Sequence, residues 1–186
     1  MCLDQTRIGI LGTLPRESEL LIVESSVTIC SAGRDDFEQL YELYRHSIRC
    51  NPHGFIQDFA FHGCLGEKIS TWRKAGGDFL VAIGGDKVVG LGGLAPQNAR
   101  SAELCKLHVD PGWQGQGIGR SIATELVAHA RRAGFIEVEL HVTATQTAAI
   151  ALYCSLGFRE MSRKLFTTVV FGAVASFDTI YMTLLL

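Results

Sequence analysis

The chain runs to 186 residues, 47% of them hydrophobic, which is enough length and apolar content to bury one globular core. Lys plus Arg number 17 against 19 Asp plus Glu, for a net charge of -2, so there is no broad basic field to hold a phosphate backbone and no nucleic-acid partner is expected. The six cysteines stand at 2, 30, 50, 64, 105 and 154, never two or three residues apart, which excludes zinc-knuckle spacing and predicts free thiols in a reducing cytoplasm.

Residues 1–25 show no clear period and read as an extension of unassigned shape, with residues 26–186 forming a single domain. Asp4 precedes the first basic residue, Arg7, and Pro15, Arg16 and Glu17 interrupt the apolar stretch, a poor pattern for a signal peptide. Val27 to Cys30 reads as a short strand. Asp35 and Asp36 then open a helix in which Phe37, Leu40, Tyr41, Tyr44 and Ile48 fall on one stripe. Asn51 to Gly66 carries Pro52, Gly54, Gly63 and Gly66, so a loop is expected before a short helix ending near Lys74. Phe79 to Ile83 and Val88 to Leu94 are strand-like runs joined by a turn at Gly84 to Lys87, and Ala102 to Asp110 makes a third strand.

Gly115 to Arg132 reads as a helix with Ile118, Ile122, Leu126, Val127 and Ala130 on one face and Gly134 as its stop. Ile136, Val138, Leu140 and Val142 alternate with Glu137, Glu139 and His141, the mark of a strand with unlike faces. A last helix, Gln146 to Leu156, closes at Gly157. Phe158 to Leu186 is β-rich around a break near Gly172 to Ser176. Its apolar stretch from Leu165 to Phe177, about 13 residues, is short of the roughly 20 that cross a bilayer, so buried strands and no membrane partner are expected. Strands and helices in this order predict an α/β or α+β layer fold around one central sheet.

The most informative segment is Leu107 to Arg120, a strand end, a glycine loop and a helix start. Gly115, Gly117 and Gly119 let the backbone approach a bulky anion. The N–H groups of the following first turn lack helical partners, and the dipole end favours negative charge by roughly 0.3 to 2 kcal/mol. A pyrophosphate suits such a place. Taken alone, the glycines are equally compatible with a tight strand-to-helix turn. A dinucleotide fingerprint fits worse, although Glu139 lies at about the expected distance. It requires G-x-G-x-x-G directly after a strand, whereas the pattern here is G-x-G-x-G after an intervening Pro111 to Gln114.

A second segment, Gln146 to Phe158, reads QTAAIALYCSLGF. Together the two segments resemble the GNAT superfamily of N-acetyltransferases, whose signature is a Q/R-x-x-G-x-G/A loop followed by an A-x-x-L-Y-x-x-x-G-F helix end. Gln114, Gly115, Gln116, Gly117, Ile118 and Gly119 match the first element; Ala149, Leu152, Tyr153, Gly157 and Phe158 match the second. The resemblance covers about residues 27–186 and is strongest between 101 and 160. It implies a GNAT-like fold: a mixed, mostly antiparallel central sheet flanked by helices, with a splay between two central strands, here Ala102 to Asp110 and Ile136 to Val142.

The resemblance further implies that acetyl-CoA is the co-substrate, held by Gln114 to Arg120, by backbone around Leu107, His108 and Val109, and by Gln146, Ala149 and Tyr153. Where the family most often has Asn at the start of the last helix, this chain has Gln146. By the same resemblance Tyr153 is the general acid that protonates the departing CoA thiolate, and Glu103 on the central strand is the base. His108, His141 and Glu139 are weaker candidates for that base, and strand alternation puts His108 on the face opposite Glu103.

The histidines, at 46, 53, 62, 108, 129 and 141, form no HxxxH or HxH pair, so no metal is expected. Cys154 reads as a small buried apolar residue rather than a nucleophile. An acceptor site is expected between His46 and Trp72 and in the C-terminal strands. Phe55, Phe59, Phe61 and Trp72 could line it, although scattered aromatics more often belong to a core. The expected function is transfer of an acetyl group to a primary amine, on a small molecule or a peptide, by direct attack in a ternary complex. The alternative is a non-catalytic acyl-CoA binding module. Dimers are common among members of the resembling family, and the C-terminal strands offer the contact for a homodimer.

Overall fold

A computed structural model describes residues 27–49, 65–170 and 173–186. Its elements, in chain order, are β1 (Val27–Ser31), α1 (Phe37–Arg49), α2 (Leu65–Lys74), β2 (Asp78–Gly84), β3 (Lys87–Pro96), β4 (Ser101–Val109), α3 (Ile118–Arg132), β5 (Glu137–Thr143), α4 (Thr147–Ser155), β6 (Arg159–Val170) and β7 (Ala173–Leu185), with a 3-10 turn at Pro111–Trp113. The strands form one sheet in the order β1-β2-β3-β4-β5-β7-β6. Every neighbouring pair is antiparallel except β4 and β5.

Two apolar layers sandwich this sheet. Leu40, Leu43 and Tyr44 of α1 join Leu65 and Ile69 of α2 over Phe79, Val81 and Leu91. On the other face, Ile118, Ile122, Leu126 and Ala130 of α3 cover Leu80, Ala82 and Leu104. β2 is therefore buried on both sides, which is why its sequence is a continuous apolar run, whereas β5 alternates. The two-residue β2–β3 turn is made by Gly85, whose φ is +65°, and Asp86.

The order of elements and the mixed sheet match the expectation, and three details correct it. α3 begins at Ile118 rather than Gly115, because Gly115 and Gly117 adopt left-handed φ values of 78° and 83° that a helix cannot contain. β7 begins at Ala173, so residues 173–176, expected as part of a break, are strand. The stretch expected as buried strands is strand, but it is exposed: Leu165 keeps 71% of its surface and Val174 75%. β7 pairs with β5 only from Thr179 to Leu185, while its pairing with β6 continues to Ala173. The distal part of this hairpin therefore runs beyond the layered core.

β4 carries the features on which the site depends. Its parallel pairing with β5 covers only Ser101↔Glu137, Ala102↔Val138 and Glu103↔Glu139; beyond these the two strands part, which is the splay expected from the motifs. On its other side, the register with β3 slips between Leu91 and Gly93, and Lys106 takes a φ of 54°. This is a β-bulge. It puts Glu103 (opposite Ala95), Cys105 (opposite Gly93) and His108 (opposite Leu91) on the α1–α2 face, with Leu104 and Leu107 toward α3. His108 and Glu103 thus share a face, contrary to simple alternation, because the bulged residue inverts the sense of every side chain after it.

Candidate active site

The loop between β4 and α3 is built by short-range chemistry. Asp110 accepts a hydrogen bond from the Gly112 N–H at 2.8 Å, and Pro111 sits at the first position of the 3-10 turn. The Gln114 side-chain amide donates to the Val109 carbonyl at 3.0 Å. Trp113 lies against Gly84, where a Cβ would come within 2.6 Å of its ring, so the glycine permits the contact that ties the loop to the β2–β3 hairpin. A Cβ at Gly115 or Gly117 would meet nothing within 4 Å. The loop therefore arches over open space and leads directly to the first-turn N–H groups of Ile118, Gly119 and Arg120, which no preceding helical carbonyl can reach. A phosphate group fits this combination of donors, room and dipole.

Three elements converge beside that turn. A Cβ at Gly119 would lie 3.6 Å from Val109 of β4 and 3.9 Å from Leu152 of α4, so the helix N-terminus, the end of β4 and α4 border the mouth of the splay. α4 projects Tyr153 into the core at 8% exposure, its ring edge-on to Phe158 at 5.8 Å. Burial, with a smaller contribution from Cys105, raises the Tyr153 phenol well above its ordinary value. Buried tyrosine hydroxyls normally find a partner, yet among the described residues none hydrogen-bonds this one. An orphaned phenolic hydroxyl beside a split strand is what a site awaiting a ligand atom would contain.

The polar groups gather on the other side of the splay. Glu103 holds His141 Nδ1 at 3.0 Å through one carboxylate oxygen and accepts from Gln97 Nε2 at 3.0 Å through the other. The hydrogen bond to Glu103 raises the His141 pKa, more than burial lowers it. The imidazole is 52% exposed and can exchange protons with a bound molecule. Lys106 extends from the bulge to the Tyr44 hydroxyl at 2.9 Å, with its ammonium 4.9 Å from the ring centroid. Burial lowers its pKa. Burial and the Glu103 charge push the Cys105 thiol up to about 12, so it stays protonated at neutral pH and is no nucleophile.

The structure thus brings together most of the residues singled out in the sequence. Leu107, His108 and Val109 lie half-buried on the diverging part of β4, and Gln114 to Arg120 form the turn at its end. Ala149 is partly buried on α4. Gln146 stands at the α4 N-terminus with its side-chain carbonyl turned back to the Thr143 hydroxyl at 3.0 Å. Glu139 sits exposed opposite Glu103, at the closed end of the splay.

Trp72 stacks on Phe79 at 6.2 Å and belongs to the core, while Phe55, Phe59 and Phe61 lie outside the described residues. Cys154 is exposed rather than buried, because α4 turns Tyr153 inward beside it. Sequence reasoning gave Lys106 and Gln97 no role, read Tyr44 only as part of the α1 stripe, and placed His141 behind Glu103 as a candidate base. One signal was available: the apolar residues Leu104 and Leu107 stand three apart in a strand, where an unbroken period demands two.

Comparison with known proteins agrees with this fold. The acetyltransferase (GNAT) family model matches residues 37–158. An N-acetyltransferase of Escherichia coli, YjgM, is 32% identical over 100 residues, covering 52% of this chain and 60% of that protein. The E. coli alanine N-acetyltransferase of ribosomal protein bS18 is 44% identical over 59 residues, covering 32% of this chain and 40% of its own length. The match therefore spans about half the length of these curated relatives. In structure, a GNAT superfamily phosphinothricin acetyltransferase from Sinorhizobium meliloti in complex with AcCoA superposes with a TM-score of 0.71 at 24% identity, over 86% of this chain and 88% of that one.

Proposed function

The chain belongs to the acetyltransferase (GNAT) family, and we propose that residues 26–186 form one domain that transfers an acetyl group from acetyl-CoA to a primary amine by direct attack in a ternary complex. The observation that carries this reading is the junction of a parted β4–β5 pair with a buried Tyr153 hydroxyl that no described residue engages. Acetyl-CoA supplies the thioester: the amine nitrogen bonds to its carbonyl carbon and the C–S bond breaks.

In this proposal Gly115 to Arg120 bind the diphosphate through backbone N–H groups, and Gln114 stabilises the loop by its bond to Val109. Leu107, His108 and Val109, on the part of β4 beyond its pairing with β5, lie along the pantetheine arm, Gln146 and Ala149 flank it, and a backbone donor aimed at the carbonyl oxygen contributes roughly 3 kcal/mol. Tyr153 Oη delivers a proton to the departing sulfur; its raised pKa keeps it protonated until a thiolate develops beside it. On the opposite side, neutral His141 accepts the proton of the incoming ammonium. Glu103, bonded to Nδ1, fixes the tautomer and stabilises the resulting imidazolium. A base so oriented favours a catalyst over a module that only binds acyl-CoA.

The proposed setting is the cytoplasm; no described helix is long and apolar enough to cross a membrane. The proposed assembly is a homodimer through the C-terminal strands, supported by the exposed apolar side chains of β6 and β7. The test is release of CoA thiol when purified protein meets acetyl-CoA and a panel of amines. Amine-dependent release is expected; tight acetyl-CoA binding with no release for any amine class would leave the binding module as the better reading.

A further inference from the structure

The loop that offers its N–H groups to a diphosphate has little beneath it. Gly115 and Gly117 both take left-handed φ values, and a Cβ at either would meet nothing within 4 Å. A loop this free loses conformational entropy when it closes on a ligand, and that loss is subtracted from affinity. Whatever fixes the residues just before the glycines therefore acts on cofactor binding. Two restraints there are local: Asp110 accepts from the Gly112 N–H, and the Gln114 amide donates to the Val109 carbonyl. A third reaches further, from Trp113 to Gly84 at the end of β2.

Gly84 is a fixed seat. It pairs with Val27 of β1 on one side and with Lys87 of β3 on the other. The turn that follows is held from α1, where the Gln39 side chain donates to the Asp86 carbonyl at 3.2 Å and accepts from the Val88 N–H at 2.9 Å. Gly84 does not take a positive φ, so its backbone would accept alanine without strain. What opposes a side chain there is the indole: the three atoms nearest a Cβ, at 2.6, 2.8 and 3.1 Å, all belong to the benzo ring of Trp113. Trp113 also packs at the edge of the α3 core layer, and Gln114 and Gly115 follow it directly in the chain. We infer that Trp113 is a positioning residue for the cofactor: seated on Gly84, it holds the start of the loop in the conformation that acetyl-CoA binds. Gly84 is separated from β4 by β3, so the effect falls on binding and not on the chemical step.

This inference rests on the diphosphate reading of the loop, and the test keeps the two apart. Acetyl-CoA binding is measured by calorimetry for wild-type protein, Gly84→Ala, Trp113→Phe and the double variant, and thiol release is measured at varied acetyl-CoA and varied amine. Gly84→Ala should raise the Kd and KM for acetyl-CoA about 10-fold or more, because the crowded indole leaves its seat and binding must bring the loop back. The saturated kcat and the KM for the amine should stay within about twofold of wild type. Trp113→Phe, whose ring ends short of the indole's outer atoms, should weaken binding about three- to tenfold. The double variant should bind like Trp113→Phe alone, since the phenyl ring leaves room for the alanine methyl. That non-additivity marks direct contact, and a general loss of stability would not produce it. A Kd within about twofold of wild type in either single variant overturns the inference while acetyl transfer stands; so does a parallel loss in kcat and in both KM values. Should the protein bind acetyl-CoA and release no thiol, acetyl transfer falls and the Kd values still decide the inference. Wild-type protein that binds no acetyl-CoA overturns both, and Trp113→Phe decides the matter if Gly84→Ala does not fold.

Discussion

Replacing Tyr153 by Phe isolates one oxygen atom. The ring would keep its edge-on contact with Phe158 and its place in the core. Because no described residue bonds the hydroxyl, the change should alter unfolding stability by less than about 1 kcal/mol. The kinetic effect should be larger. A positioned acid contributes roughly 10²- to 10⁴-fold, and a thiolate, whose conjugate acid has a pKa of about 8.5, leaves unaided better than most groups. The low end therefore applies, and kcat should fall by about 100-fold, with the KM for acetyl-CoA little changed. Thiol release under saturating acetyl-CoA measures the first quantity and thermal melting the second. A kcat within about twofold of wild type in a normally melting Tyr153→Phe protein would remove the acid role. Tyr153→Ala is the structural contrast, since it opens a cavity costing roughly 3 to 5 kcal/mol.

Further outcomes follow from the same geometry. The Glu103 carboxylate raises the His141 pKa from 6.5, and the base works only when neutral, so kcat should fall as pH drops through a value above 6.5. Glu103→Gln should move that limb to lower pH and reduce the plateau; an unmoved limb would show that another group titrates. For stability the sign is reversed: the pair contributes below the unfolded pKa and its contribution is lost as pH rises through the folded one, an effect kept small by the half-exposed ring. Leu126→Ala, at a fully buried α3 position, should cost about 2 to 5 kcal/mol in chemical denaturation. Leu165→Ala, on the hairpin proposed as the dimer contact, should weaken the dimer in analytical ultracentrifugation while changing the unfolding of the monomer by no more than about 0.5 kcal/mol; an unchanged dimer would remove this hairpin from the interface.

How far the sequence could be read depended on the range of the interactions involved. The α3 stripe from Ile118 to Ala130 and the alternation of β5 were legible because burial imposes local periods on side chains that must face one layer. The glycine loop and the Tyr153 segment were recognised as a pair through their resemblance to two motifs of one family. The bulge at Lys106 was not legible by alternation. It arises from a one-residue slip against Gly92 on a neighbouring strand, and it alone decides that His108 shares a face with Glu103. The Glu103–His141 contact joins β4 to β5 just past their last paired residues, so it existed only once the splay was known. The hairpin of β6 and β7 misled in the opposite direction: Leu165, Val169 and Val174 have the composition of core strands, but among the described residues no further layer covers them. Strand propensity forecast the conformation and could not forecast the missing cover.

The account stands most directly on where acetyl-CoA binds. A crystal structure of the protein with acetyl-CoA should show diphosphate oxygens within hydrogen-bonding distance of backbone N–H groups between Gly115 and Arg120, the pantetheine between β4 and β5, and the sulfur within reach of Tyr153 Oη. Gly117→Val, which forces a branched residue into a φ of 83°, should weaken that binding by at least about tenfold. A complex with the diphosphate elsewhere on the surface, or with the thioester distant from Tyr153, would contradict it.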